Sequence, residues 1–235
     1  MSLAPLFDAH RAQFAAFLKT FDSYADAFAA IGENTPPEPR WDQVWFPRLD
    51  ACAAYAMVRE HRPARIIEIG SGHSTRFMAR AIRDGGLATH LTSIDPEPRA
   101  TIDGLPIERI AQRVPDAELP LLSAGDILFI DSSHVVAPGS DVDHLLRHVV
   151  AELASGTILH FHDIFLPEPY PPEWDYRHYN EQTSVAAMLA SGGYELLFAG
   201  RYVAIRMTDE IAAGVVARLP LPDGAFENSL WLRKR

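Results

Sequence analysis

The sequence predicts an α/β fold, doubly wound on a mostly parallel sheet, and three observations predict it. Six short apolar runs follow one another along the chain: Arg65–Gly70, His90–Asp95, Ile107–Ala111, Asp126–Asp131, Thr157–His162 and Tyr194–Ala199. Amphipathic stretches separate several of them, notably Thr75–Arg83, Val142–Leu153 and Gln182–Ala190. Apolar runs alternating with helical periodicity describe parallel strands covered by helices on both faces. The third observation is that four of the runs lead into polar residues, at Gly70-Ser71-Gly72, Asp95, Asp131 and His162-Asp163. In open α/β sheets ligands sit outside the carboxyl ends of the strands, so the fold class names the edge where a site belongs.

Taken in order, the chain begins with apolar residues at Phe7, Phe14, Phe17, Leu18, Phe21, Tyr24 and Phe28. That spacing draws a stripe down one or two helices, which either pack on the main domain or form a lid or homodimer surface. Glu33–Pro39 is a proline-rich joint. We read residues 1–49 as an N-terminal helical extension and 50–235 as the main domain. Asp50–His61 reads as a helix with Ala, Tyr and Met inward. At the other end Ser229–Arg233 reads as a last strand, antiparallel beside Tyr194–Ala199.

Bulk properties narrow the function. The chain has 235 residues, 48% of them hydrophobic, enough for one well-packed domain. Its formal net charge of −10 argues against nucleic acid as a partner. The single cysteine, Cys52, excludes an internal disulfide framework and a cysteine-built zinc site. No apolar run approaches roughly 18 residues and nothing reads as a signal peptide, so we expect no membrane partner, and the single cysteine fits a reducing compartment, for which we expect the cytoplasm.

The segment "IIEIGSGHSTRF", Ile66–Phe77, is a buried strand turning through Gly70-Ser71-Gly72 into a helix start. Glycines let a ligand approach the backbone, and the helix start offers free N–H groups. Thr75 stands where a dinucleotide-binding turn would carry its third glycine, which disfavours an NAD-type enzyme. Asp95 ends the next run, where a carboxylate can accept hydrogen bonds from ribose hydroxyls; as a plain alternative it would cap the following turn. Glu68, Gly70, Gly72, Asp95 and the later "DILFIDSSH" resemble class I S-adenosylmethionine-dependent methyltransferases. The resemblance covers roughly Asp50 to the C-terminus. It implies a seven-stranded, Rossmann-like sheet with S-adenosylmethionine across the carboxyl ends of its first strands. The candidate cofactor contacts are Glu68, Gly70, Ser71, Gly72, Ser74, Asp95 and Asp131.

"TILHFHDIFLP", Thr157–Pro167, starts as a buried strand and ends in ionisable groups whose unpaired burial would be costly. His160 and His162 share one face; the deeper His160 is expected to be a hydrogen-bonded structural residue. His134, His162 and Asp163 are the catalytic candidates, with His134 suited to proton removal by its ordinary pKa, or else a loop residue capping a turn. "IDSSH" followed by "HFHDIFLP" resembles the small-molecule O-methyltransferases related to macrocin O-methyltransferase and cephalosporin hydroxylase-like proteins. That resemblance implies a divalent metal on Asp131, His162 and Asp163. Here His162 replaces a carboxylate, which suits Mg²⁺ poorly and points to another divalent ion if one is held. His144 and His148, one helical turn apart, read as a solvated helix face.

The stretch after Asp163 carries Tyr170, Trp174, Tyr176 and Tyr179 among prolines and reads as the wall of a small-molecule acceptor site, faced by Trp41, Trp45 and Phe46. Such a wall suits sugars, phenols or polyketides. Asn180 is expected to cap the next helix, with Glu181 within reach of the site. The function expected is methyl transfer to a small-molecule hydroxyl. The alternatives are a metal-dependent hydrolase or oxygenase-like enzyme on Asp131, His162 and Asp163, or a non-catalytic cofactor-binding module.

Overall fold

The structure is a computed structural model describing residues 3–32 and 35–235. Met1, Ser2 and the start of the proline-rich joint, Glu33 and Asn34, lie outside the described residues. Three short helices come first: α1 (Ala4–Ala9), α2 (Arg11–Thr20) and α3 (Ala25–Ala29), with a 3₁₀ turn at Phe21–Tyr24. Their stripe is used within the chain. Phe7, Phe14, Phe21 and Phe28 are wholly buried, with Phe14 against Phe198 at 5.9 Å and Phe28 against Tyr55 at 5.2 Å. The apolar face that would serve a dimer is therefore already covered by the protein's own body.

Helix α4 (Arg48–His61) buries its face and ends at Arg62, whose φ of 47° closes the helix in the left-handed region. The sheet follows as β1 (Arg65–Ile69), β2 (His90–Ile94), β3 (Glu108–Ile110), β4 (Ile127–Ile130), β5 (Ile158–Phe161), β6 (Tyr194–Ala199) and β7 (Leu230–Lys234). Between them lie α5 (His73–Asp84), α6 (Asp141–His144, continuing as π-helical turns to Val150), α7 (Glu181–Ala190), α8 (Gly200–Arg206) and α9 (Thr208–Ala213). Among the described residues no helix is long and apolar enough to cross a membrane.

The strand order is β3-β2-β1-β4-β5-β7-β6. β7 runs antiparallel to both β5 and β6, lying between them. The chain winds outward from β1 to β3, then starts again at β4 on the other side of β1. That reversal is the topological switch point, where the connections diverge and leave a crevice above the strand ends. Two crossovers depart from the expected alternation, since only a 3₁₀ turn at Val114–Asp116 lies between β3 and β4. No helix joins β2 to β3, because Pro96, Pro98 and Pro106 remove amide donors and oppose helical turns throughout that stretch.

Candidate active site

The crevice over β1 and β4 is a cavity of about 950 Å³, within the range of small-molecule sites. One half is built by the turn after β1. Gly70 has φ +79°, and a Cβ there would lie 2.1 Å from the Asp131 carbonyl oxygen, so the β1 and β4 ends meet backbone to backbone. Only glycine permits that approach. Gly72, at φ +155°, passes close to Ala100. Below the turn Glu68 is fully buried, and its carboxylate accepts from the Ser74 and Thr75 hydroxyls, each at 2.6 Å. Thr75 Oγ1 in turn accepts from the Gly72 amide at 2.9 Å. The residue that replaces a third glycine is thus the bolt of the turn. Burial pushes Glu68 up to about 8, against the two hydroxyls that lower it.

Glu68, Gly72 and Ser74 lie beneath the cavity rather than on its lining, whereas Gly70, Ser71, Asp95 and Asp131 line it. Asp95 Oδ2 accepts from the amide and hydroxyl of Ser71 at 2.8 and 2.9 Å, and Oδ1 accepts from the Glu97 amide at 2.8 Å. A carboxylate offers about four acceptor positions. Asp95 therefore both ties the turn and keeps room for one further donor.

The other half gathers charge. His134 Nε2 lies 3.2 Å from Asp131 Oδ1 and 3.5 Å from Asp163 Oδ2, while its Nδ1 meets Glu181 Oε2 at 2.9 Å. His162 Nδ1 stands 3.6 Å from both Asp131 Oδ1 and Asp163 Oδ1, and its Nε2 faces Asp50 Oδ2, also at 3.6 Å. Asn228 Nδ2 donates to Asp163 Oδ1 at 2.9 Å, and the Asn228 and Ser229 amides fix Asp50 at 3.0 and 2.9 Å. His134, His162, Asp50, Asp163 and Glu181 are all buried, while Asp131 is 34% exposed toward the cavity. His134 and Asp163 hold positive φ, 60° and 54°, so both loops turn sharply at the site.

These neighbours decide protonation. Burial by itself would lower His134, yet its hydrogen bonds to Asp131 and Glu181 and the charge of Asp163 outweigh it and raise its pKa well above the ordinary value. His162 is raised well above the ordinary value too, Asp131 and Asp163 overcoming the same burial. The two imidazoles hold Asp131 well below the usual carboxylate range, although burial opposes them. The ordinary pKa expected for His134 therefore does not survive the fold: the three carboxylates around it raise it.

The structure corrects other expectations. His160 is not hydrogen-bonded: both ring nitrogens lack partners, and the ring stacks on Phe129 at 3.7 Å. Burial holds it well below the ordinary value, hence neutral. Asn180 occupies the start of α7 without capping it, and its amide instead clasps Val136 through both backbone groups. Of the aromatic wall, Trp174, Tyr179 and Trp45 line the cavity; Tyr170 and Tyr176 do not. Trp41 and Phe46 are buried in the core, Trp41 donating to the Phe28 carbonyl at 3.0 Å. Arg99 lies over the Trp45 ring at 4.2 Å and Arg177 over Trp174 at 4.4 Å.

Sequence reasoning missed Asp50, Phe226 and Asn228, and left Glu181 only within reach. Asp50 did leave a signal, a carboxylate between Leu49 and Ala51 on a helix that is otherwise apolar there. Phe226 and Asn228 precede β7 and reach the site only through its antiparallel insertion.

Residues 67–164 match a family model described as a methyltransferase domain. No curated protein matches the sequence. Among solved structures, a CmcI structure named for its Mg and SAM is 15% identical, with 89% of this chain and 84% of that one covered and a TM-score of 0.49. The SAH-bound Podospora anserina methyltransferase PaMTH1 is 16% identical, with 93% and 88% covered and a TM-score of 0.47. A branched-chain polyamine synthase from Thermus thermophilus is 15% identical, with 89% and 63% covered and a TM-score of 0.48. The Gly70–Gly72 turn, Asp95 and β4 all fall within the stretch, residues 67–164, that matches the methyltransferase domain.

Proposed function

We propose that the protein transfers the methyl group of S-adenosylmethionine to a hydroxyl of a small molecule. The observation that carries this is the convergence of Asp131, His134, His162 and Asp163, at separations of 3.2–3.6 Å, on the floor of the cavity that Gly70, Ser71 and Asp95 enclose. The residues present fit the cofactor. Asp95 keeps an acceptor position for a ribose hydroxyl, and the side-chain-free edge of Gly70 admits a ligand against the backbone. Bound S-adenosylmethionine supplies an electrophilic methyl group on sulfur: the S–C bond breaks as the C–O bond forms, and the acceptor proton must leave.

The chain's own residues meet the remaining requirements. Trp174, Tyr179 and Phe226 form a rigid aromatic wall, with Trp174 and Phe226 edge to face at 5.4 Å, that holds the acceptor in line. The carboxylate–imidazole cluster orients the hydroxyl and receives its proton, at a site where charged groups are already fixed. Glu181 and Asp50, one behind each imidazole, keep the rings in place as the charge on the cluster changes. The test is incubation with S-adenosylmethionine carrying a deuterated methyl group and a panel of sugars, phenols and polyketides, read by mass spectrometry. Label on oxygen of one class supports the reading. Binding of the cofactor with transfer only to nitrogen or carbon acceptors would overturn the hydroxyl assignment.

A further inference from the structure

Arg177 lines the acceptor half of the cavity together with Trp174, Tyr179 and Phe226. Its guanidinium carbon lies 4.4 Å over the Trp174 ring, and Nη1 donates to the Tyr179 hydroxyl at 3.0 Å. Nε is buried and has no hydrogen-bond partner. Among the described residues Arg177 forms no ion pair, whereas Arg206 and Arg233 each hold a glutamate. The nearby cavity carboxylates are engaged elsewhere: Asp131 and Asp163 face the two imidazoles, and Asp141 accepts from the Ser133 amide at 2.9 Å. Arg99 and Arg113 also line the cavity, but they follow β2 and β3 in the cofactor half. A guanidinium carries five N–H donors and a permanent charge, and contact with an aromatic face holds it in place without using those donors. Arg177 therefore presents an unmatched cation, with donors to spare, where the acceptor must lie.

We propose that the acceptor is a hydroxy acid, and that Arg177 binds its carboxylate about one ring's width from the reacting hydroxyl. Tyr179 sets the length: its ring centre lies 4.6 Å from that of His134 and 5.5 Å from the Arg177 guanidinium carbon. An acceptor built on a single ring spans the gap between the carboxylate–imidazole cluster and the guanidinium. The same arrangement decides which end enters. Asp131 and Asp163 repel an acceptor carboxylate and Arg177 attracts it, so the hydroxyl is the group presented to His134. A guanidinium and a carboxylate form two parallel charge-assisted hydrogen bonds, which a neutral ester cannot match. On a chain of formal net charge −10, an anionic acceptor needs such a local cation to be held at all. The proposal rests on the methyl-transfer reading for the fate of the hydroxyl, but the carboxylate site is testable without turnover.

The experiment uses the full chain saturated with S-adenosylhomocysteine. It is titrated by calorimetry with meta- and para-hydroxybenzoate and with glucuronate, each beside its methyl ester. We expect at least one acid to bind tenfold or more tightly than its ester, the aryl and sugar arms telling which framework the aromatic wall accepts. Arg177→Gln should weaken that acid tenfold or more and bring the acid-to-ester ratio toward one. Arg177→Lys, which keeps the charge but loses the planar fork, should give an intermediate ratio. Esters bound as tightly as acids by the parent protein would overturn the proposal, as would binding of none of the acids. So would an equal weakening of acid and ester by Arg177→Gln, the mark of a merely structural role. Turnover then separates the two readings. Methyl transfer to neutral acceptors alone would leave the methyltransferase reading standing and remove the carboxylate site. Acid binding that depends on Arg177, with no transfer from S-adenosylmethionine, would do the reverse.

Discussion

Glu68 offers a sharp test of how the glycine turn is built. Its carboxyl is fully buried under the turn and is pushed from the ordinary 4.5 to about 8. Because the fold favours the acid form, the stabilising contribution of Glu68 is complete below pH 4.5 and is lost as pH rises through about 8. Each pH unit in that window removes up to about 1.4 kcal/mol, or roughly 5 kcal/mol across the whole of it. Glu68→Gln keeps the shape and a partner for the Ser74 and Thr75 hydroxyls, yet cannot ionise. The variant should match the wild type near pH 4.5 and be the more stable protein by about 3 kcal/mol at pH 7. Urea unfolding at half-unit steps from pH 4.5 to 8.5 measures the difference directly. Parallel stability curves for the two proteins would refute the reasoning, since they would mean that Glu68 is ionised in the folded state and that the two hydroxyls suffice to solvate it.

Further outcomes are expected at the site. Gly70→Ala places a Cβ 2.1 Å from the Asp131 carbonyl at φ +79°, so thermal or chemical unfolding should show a loss of about 2–5 kcal/mol, from the left-handed backbone and overpacking together. His134→Ala should reduce turnover by roughly 10²–10⁴-fold while S-adenosylhomocysteine still binds in calorimetry; unchanged turnover would remove His134 from the chemistry. Trp174→Ala takes away its ring contacts with Tyr179 and Phe226 and should raise the acceptor KM about 3- to 10-fold at unchanged cofactor affinity, each aromatic pair contributing about 0.5–1.5 kcal/mol. Loss of cofactor binding in that variant would move the aromatic wall to the other half of the cavity.

What the sequence made legible follows physical range. Strand runs such as Ile127–Ile130 announce themselves because strands buried on both faces are apolar along their length. The polar residues that end them, Asp95, Asp131 and His162-Asp163, were readable for the converse reason. The missing β2–β3 helix was also written locally, in Pro96, Pro98 and Pro106. Hidden were the partners that arrive across the fold. Asp50 meets His162 from α4, Asn228 meets Asp163 from the approach to β7, and Glu181 meets His134 from α7. Those three contacts set the orientation and protonation of the site, and no local pattern encodes them. The same range explains His160, whose stacking on Phe129 and tilted contact with Trp231 depend on neighbouring strands β4 and β7.

The central claim, that the crevice above β1 and β4 binds S-adenosylmethionine through Asp95, is tested most directly by calorimetric titration with S-adenosylhomocysteine. Wild-type protein should bind one equivalent, and Asp95→Ala should lose about 1–3 kcal/mol of binding free energy through the polar groups left unpaired. A wild type that binds none, or an Asp95→Ala variant that binds with undiminished affinity, would contradict it.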